Sequence, residues 1–185
     1  QLAGAHRFAA VGCDLSARRL REGRKRAPML PLVQAPAECL PVAGERVDII
    51  LAECTLSVTG EQERVLAECR RVLRSGGFLI VSDLYARDPT GDPALRQAAR
   101  GSCFGGLLSQ GQIVGNLETK GFCMVLWEDH SEALKHLAVQ IILTHGSLEP
   151  FWRSASAGFT GADMQKMVAR SRPGYFLLIA RKRRP

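Results

Sequence analysis

Residues 47–83 read VDIILAECTLSVTGEQERVLAECRRVLRSGGFLIVSD. The apolar run at 47–52 predicts a buried strand, and the spacing of apolar residues across 61–74 predicts a helix with one inner face. Gly76 and Gly77 predict a left-handed stop for that helix, and residues 78–81 predict the next strand, ending at Ser82 and Asp83. A strand, a helix and a second strand in this order predict two parallel strands joined by a right-handed crossover. The inner face of the helix consists of Val65, Leu66, Cys69, Val72 and Leu73.

The same alternation extends to both sides of this segment. Upstream, we expect a buried strand at 8–13, a basic helix at 16–26 and a strand at 30–35. Downstream, Ser109 predicts the cap of a helix closed by Gly121, followed by a strand at 122–127. A helix is predicted at 131–145, and the capping-box spacing of Thr160 and Asp163 predicts the start of another. A last strand is predicted at 175–180. The inward residues of the 131–145 helix are predicted to be Leu134, Leu137, Ala138, Ile141 and Ile142. Alternating strands and helices predict an α/β fold with a doubly wound, mostly parallel sheet and helices on both faces.

The composition is that of an ordinary globular chain with a net charge of +7. The positive charge is concentrated at 18–26, which we interpret as a solvated helix face, and at 181–184, which we interpret as a frayed tail. No aromatic stacking platform accompanies it, so we do not expect nucleic-acid binding. No run reaches the ~18 apolar residues of a membrane helix, and residues 1–7 have no signal-peptide core, so a cytoplasmic protein is expected.

Ligands of doubly wound sheets bind beyond the carboxyl ends of the strands. Asp14 comes directly after a predicted strand, where its carboxylate can accept hydrogen bonds from both hydroxyls of a ribose. An aspartate in this position is equally a common helix N-cap. Both interpretations are open from this residue alone.

Four segments, in order, resemble class I S-adenosylmethionine-dependent methyltransferases of the type 11 and ubiquinone-biosynthesis kind. They are Val-Gly-Cys-Asp-Leu-Ser at 11–16, Ala-Pro-Ala-Glu-Cys-Leu-Pro at 35–41, the strand at 47–53, and Leu-Arg-Ser-Gly-Gly with its following strand at 73–83. The resemblance implies a Rossmann-like sheet with an antiparallel last strand, S-adenosyl-L-methionine as cofactor and a small-molecule acceptor. It also implies Asp14 on the ribose, Leu15, Ala37 and Glu38 around the adenine, and Glu53 near the methionine end.

Two departures from the family pattern stand out. Pro36 takes the place of an aspartate that accepts from the adenine amino group in many relatives, and proline offers neither that acceptor nor a backbone N–H. The family's first strand and its glycine-rich turn would precede Phe8 and do not occur in the sequence. We therefore expect a single methyltransferase domain over 1–185, incomplete at its N-terminus and without its first central strand. Residues 131–170 are expected to form a helical cover.

Other residues and other functions are weaker candidates. Asp83 and Tyr85 follow a strand and can face a substrate or cap a loop, and His130 can act as a general base or begin a helix. No catalytic residue is assigned and no metal site is expected. Six scattered cysteines suit a reduced protein better than a metalloid-binding one. The alternatives are a non-catalytic binding relative and a nicotinamide-dependent oxidoreductase. Oligomeric state is not predicted.

Overall fold

The structure is a computed structural model that describes residues 8–88, 102–149 and 172–184. The chain divides into two compact units, residues 1–43 and residues 44–185, and each is described by itself. The expected single domain therefore stays a prediction. The predicted helix at Thr160 and Asp163 and the part of the predicted cover beyond residue 149 lie outside the described residues.

The first unit is a strand, a helix and a strand. Strand β1 (Gly12–Asp14) pairs in parallel with β2 (Leu32–Gln34), and helix α1 (Ala17–Arg26) connects them. The Ser16 side chain caps α1 by accepting from the backbone N–H of Arg19 at 3.3 Å. The prediction of a buried strand over 8–13 is wrong at its start, because Phe8 and Val11 are 53 % and 54 % exposed. Within the described residues β1 has a strand partner on one side only, so little of this run is covered.

The second unit contains a four-stranded sheet. Its strands are β3 (Val47–Glu53), β4 (Leu73–Ala86), β5 (Phe122–Asp129) and β6 (Pro173–Lys182), arranged in the order β3-β4-β6-β5. Strands β3 and β4 are parallel, whereas β6 runs antiparallel to both β4 and β5. The α/β fold and the antiparallel last strand are therefore confirmed. The absence of a first central strand stays a prediction.

Helix α2 (Gln62–Val72) joins β3 to β4 and packs its apolar face into the core. All five residues predicted for that face are buried, namely Val65, Leu66, Cys69, Val72 and Leu73. The predicted glycine stop is wrong, because the helix ends at Val72 and the chain enters β4 at once. Gly76, with φ of 77°, lies instead in the irregular stretch between the Val47–Leu73 and Ile49–Phe78 pairs of the ladder. Pairing with β3 from Leu73 onward ends the helix before the glycines are reached.

Two further helices follow. Helix α3 (Gln110–Thr119) begins with a capping box in which Ser109 and Gln112 each bond the other's backbone N–H, as Ser109 predicted. Helix α4 (Ser131–His145) contacts β6 through a narrower stripe than predicted. Leu137 and Ile142 are 49 % and 42 % exposed, so their predicted inward position is wrong. Leu134, Ala138 and Ile141 are half-buried on one face of the helix.

The basic C-terminal segment is not a frayed tail. Arg181 and Lys182 belong to β6 and pair with Phe78 and Phe122, and the N–H of Arg183 donates to the Gly121 carbonyl at 3.0 Å. The frayed-tail interpretation fails because the strand continues as long as it has partners on both sides, whatever the charge of its residues.

The described residues contain neither a membrane-spanning helix nor a metal-binding cluster. No described helix combines the length and the apolar composition that crossing a membrane requires. In the described part of the chain, no three His, Cys, Asp or Glu side chains are grouped so that they could hold a metal ion. The cytoplasmic location stays a prediction.

Adding one methyl group at two glycines should change stability in opposite directions. A Cβ at Gly174 would overlap the Tyr85 ring and lie 2.7 Å from the Ser131 hydroxyl, whereas a Cβ at Gly115, inside α3, meets nothing within 4 Å. We expect Gly174→Ala to lower the free energy of unfolding by about 1–3 kcal/mol. Gly115→Ala should raise it by about 0.5–1 kcal/mol. Urea denaturation measures both, and equal effects of the same sign would contradict the packing described for Gly174.

Candidate functional site

Asp14 is the last residue of β1, and its carboxylate organises the turn into α1. Its Oδ1 accepts from the backbone N–H of Ser16 at 2.7 Å, while its carbonyl accepts from the N–H of Ala35 at 3.3 Å. The N-cap of α1 is Ser16, so the N-cap interpretation of Asp14 is wrong, and its first contact instead fixes the turn that precedes the helix. Within the described residues only Oδ1 of the Asp14 carboxylate has a partner, so this contact and a role toward a ligand are compatible.

The segment after β2 runs beside Asp14. Gln34 reaches back through its side-chain amide to the Leu15 carbonyl at 3.0 Å, and Cys39 closes a turn onto the Pro36 carbonyl at 3.1 Å. Leu15 is 67 % exposed, and Ala37 and Glu38 are half-buried. The structure therefore brings four of the five predicted site residues, Asp14, Leu15, Ala37 and Glu38, to the carboxyl ends of β1 and β2.

Glu53, the fifth predicted residue, belongs to the second unit. It is the exposed last residue of β3, paired with Ser82 of β4. The next residue, Cys54, has the left-handed φ of 46° and donates its N–H to the Ser82 carbonyl at 2.8 Å. A non-glycine residue in this conformation is uncommon and fixes a sharp turn directly after the strand. The carboxyl ends of β3 and β4 are thus held together beside Glu53.

A buried carboxylate fixes the loop that follows β3. Asp83 is 1 % exposed and accepts from the backbone N–H of Ser57 at 2.9 Å, from the Ser57 hydroxyl and from the Leu84 N–H. Burial raises the pKa of Asp83, although these hydrogen bonds oppose the shift. The adjoining cavity has a volume of about 10 Å³, which is too small for an organic ligand. Asp83 therefore positions the loop rather than facing an acceptor.

A second loop, 102–108, lies against the first. Gln62 donates to the Gly106 carbonyl at 2.8 Å, and Gly106 approaches the Ser57 backbone so closely that no side chain would fit there. Cys103, on this loop, packs against the cluster of Leu84, Ala86, Phe104 and Leu107. Burial above all, with smaller contributions from the charges of Cys54 and Asp83, raises the pKa of the Cys103 thiol to about 11. Cys54 and Cys103, far apart in sequence, are therefore coupled electrostatically.

An aromatic and hydroxyl network closes the same edge between β4, β5 and β6. The Tyr85 hydroxyl donates to Asp129 at 3.0 Å, and Asp129 also accepts from the backbone and the hydroxyl of Ser131. These bonds, that from the Ser131 hydroxyl above all, lower the pKa of Asp129. Trp127 and Phe176 stack beside Tyr85 with their ring centroids 4.4 Å apart. His130 sits outside this network and pairs with Glu128 at 2.9 Å, half exposed.

Sequence reasoning left open or missed what these groups do. The alternation along β4 could have placed Asp83 correctly, because it falls on the same face as the buried Leu79 and Val81. No local pattern links Cys54 to Cys103 or Tyr85 to Asp129, since both contacts depend on the packing of distant segments.

Comparison with known proteins agrees with this architecture. A sequence profile described as a methyltransferase domain matches residues 1–81. Arsenite methyltransferase of Mus musculus is 32 % identical over 101 residues, which cover 52 % of this chain and 27 % of that protein. Phosphatidylethanolamine N-methyltransferase of Cereibacter sphaeroides is 35 % identical over 89 residues, covering 45 % and 44 %.

A solved structure shares the fold across the whole chain. Haemonchus contortus phosphoethanolamine N-methyltransferase 2, in complex with S-adenosyl-L-methionine, superposes with a TM-score of 0.70 at 15 % identity, covering 100 % of this chain and 45 % of that one. Residues 1–81 are thus similar to a methyltransferase domain, and the fold is that of the solved methyltransferase. It spans less than half the length of the two curated relatives named above.

The buried carboxylate predicts a pH dependence of stability. Because the pKa of Asp83 is raised by folding, the unfolded chain releases this proton first as the pH rises above about 4. The folded state then binds more protons than the unfolded state, so the contribution of Asp83 to stability falls with rising pH until the raised pKa is passed. Asp83→Asn introduces a side chain that cannot ionise. The variant should therefore lack this fall in the free energy of unfolding, which amounts to about 1.4 kcal/mol for each pH unit by which the pKa of Asp83 is raised.

Urea denaturation between pH 3.5 and 7 measures the effect. Asp48→Asn is the matched control, since the Asp48 side chain is 73 % exposed and pairs only with Arg74. If the pH profiles of the two variants coincide, the carboxylate of Asp83 is not the group responsible.

Proposed function

We propose that this protein transfers the methyl group of S-adenosyl-L-methionine to a small-molecule acceptor. The observation that carries the proposal is the parallel pairing of β1 and β2, which sets the Asp14 carboxylate beside the 35–38 segment in a methyltransferase fold. In this proposal Asp14 accepts from the ribose hydroxyls and Leu15 covers the adenine. Ala37 and Glu38 offer backbone and carboxylate contacts to the adenine edge, and Glu53 lies near the amino acid end.

The residues fit the chemistry of such a cofactor. Asp14 keeps one carboxylate oxygen outside its bond to the Ser16 N–H, and the exposed Leu15 offers an apolar surface of the kind an adenine ring covers. When bound, S-adenosylmethionine supplies an electrophilic methyl group; its carbon–sulfur bond breaks as the acceptor's lone pair forms the new bond. The protein's own contribution is to hold the acceptor in line with the methyl group and to exclude water. Neither task requires a general base.

Two alternatives make different binding predictions. A nicotinamide-dependent oxidoreductase shares the strand-end aspartate but would bind NAD, and a non-catalytic relative would bind neither cofactor. The match of residues 1–81 to a methyltransferase domain favours methyl transfer over the first alternative. Pro36, which replaces an adenine-binding aspartate of many relatives, is the feature that favours the second.

Removing the Asp14 carboxylate should abolish cofactor binding. In calorimetric titrations of the full-length natural chain, we expect saturable binding of S-adenosylmethionine, no binding of NAD, and no detectable binding to Asp14→Ala. Asp14→Asn keeps an oxygen for the Ser16 N–H but loses the charge, and should bind at least about tenfold more weakly because charged hydrogen bonds are lost.

The matched control is Glu22→Gln, which removes one exposed carboxylate from α1 in the same unit. It should bind as the wild type does. Binding of NAD, or of neither molecule, would refute the proposal.

A second candidate concerns the acceptor and rests on the electrostatic coupling of Cys54 and Cys103. One relative is an arsenite methyltransferase, and soft thiolates prefer soft centres such as trivalent arsenic. We propose that the two thiols hold an arsenite-like acceptor. Two sulfur–arsenic bonds would form, and two arsenic-bound hydroxyl groups would leave as water with the thiol protons. The raised pKa of Cys103 does not prevent this, because coordination deprotonates a thiol.

Serine replacement tests the thiol proposal. Cys54→Ser and Cys103→Ser should each weaken binding of arsenite by at least about tenfold, because a single remaining thiol cannot chelate. Cys39→Ser, which changes an exposed cysteine of the first unit, should leave arsenite binding unchanged. Calorimetry with arsenite measures all three. Equal affinities for the three variants would refute the thiol site and leave the methyltransferase proposal standing.

A further inference from the structure

A cleft opens at the edge of the four-stranded sheet opposite Glu53 and Cys54. It lies where β3 and β4 begin, β6 ends and α2 makes its last turn. Strand β3 spans seven residues, so this edge is about 20 Å from Glu53. The cleft has a volume of about 440 Å³ and is lined by Glu45, Ala67, Arg70, Arg71, Lys182 and Arg183.

Four of the six lining residues are cations and one is an acid. Arg71 forms a two-pronged ion pair with Glu68, with both contacts at 2.7 Å. Arg70 is held by a neutral group, since it donates to the Gly121 carbonyl at 3.0 Å. Within the described residues the Arg183 guanidinium has no partner, while its backbone N–H also donates to Gly121. The Gly121 carbonyl therefore fixes the guanidinium of Arg70 and the backbone of Arg183 without neutralising either side chain.

Lys182 adds a buried positive charge to this group. Its side chain is only 8 % exposed, and its Nζ donates to the Leu73 carbonyl at 2.7 Å and to Glu45 at 3.2 Å. The Glu45 side chain is itself 65 % exposed, which screens its charge with water. A buried cation ordinarily requires full pairing. The cleft therefore keeps an excess of positive charge that its own acids do not balance.

We propose that this cleft binds a small organic phosphate through its phosphate or diphosphate group. Guanidinium groups match phosphate oxygens in paired hydrogen bonds. The Arg70 guanidinium is held in place by Gly121, and within the described residues the Arg183 guanidinium has no partner to displace. The volume falls within the range of small-molecule pockets, about 300–1,000 Å³. No aromatic ring lines the cleft, so the stacking that single-stranded nucleic acids require is absent from it. The site is independent of Glu53, which lies at the other edge of the same sheet.

Calorimetric titration of the full-length natural chain with pyrophosphate and with ADP tests the proposal. We expect both to bind saturably with one-to-one stoichiometry, and the affinity to fall as the salt concentration rises. Arg183→Gln should weaken both interactions about tenfold, because it removes one charge-assisted hydrogen bond. This variant should fold normally, since only the backbone of Arg183 makes described contacts with the rest of the protein.

The matched control is Arg64→Gln, which removes one exposed arginine from the first half of α2, away from the cleft. It should bind pyrophosphate and ADP as the wild type does. The proposal is overturned if neither ligand binds, or if the two arginine variants lose affinity equally. It is also overturned if a DNA oligonucleotide binds at Arg183 while the two small phosphates do not.

Discussion

Strand β4 is the element on which the second unit depends. Its 14 residues hydrogen-bond in parallel with β3 on one side and antiparallel with β6 on the other. Its inward residues Leu73, Leu79 and Val81 are almost completely buried, so it supplies the centre of the hydrophobic core as well as the sheet. Because α2 runs directly into it, the position of the helix follows from the same ladder.

The two ends of this strand carry opposite chemistry. At its carboxyl end the pKa values of Asp83, Cys103 and Tyr85 are raised, and that of Asp129 is lowered. At its amino end arginines and Lys182 surround an open cleft. The length of the strand separates the residues at its carboxyl end from those at its amino end. A ligand at one end therefore does not compete for the residues of the other.

The sequence predicted the fold correctly where the deciding pattern lies within a few neighbouring residues. The five-residue face of α2 and the Ser109 capping box depend on spacings of three and four residues, and both are confirmed. The errors arose where distant partners decide the outcome. Gly76 did not end α2, because pairing with β3 started earlier, and Arg181 and Lys182 joined β6 because strands flank them on both sides.

The candidate site divides in the same way. Strand-end positions predicted where Asp14 and Glu53 would lie, since the carboxyl ends of parallel strands are set by the order of elements. The link between Ser57 and Asp83, and the approach of Cys103 to Cys54, needed the tertiary structure. The roles of Asp14, Leu15, Ala37, Glu38 and Glu53 toward the cofactor are proposals.

The pairing of β4 with β6 also affects the rate and the order of folding. Phe78 and Arg181 face each other in the ladder although about 100 residues separate them. A contact of such long range forms slowly, because the intervening chain must lose conformational entropy before the hydrogen bonds between the strands compensate for that loss. On the ribosome, the centre of the sheet stays unpaired on one side until the last strand emerges, and its apolar face is exposed for all of that interval. The second unit therefore completes its core only after β6 has been synthesised.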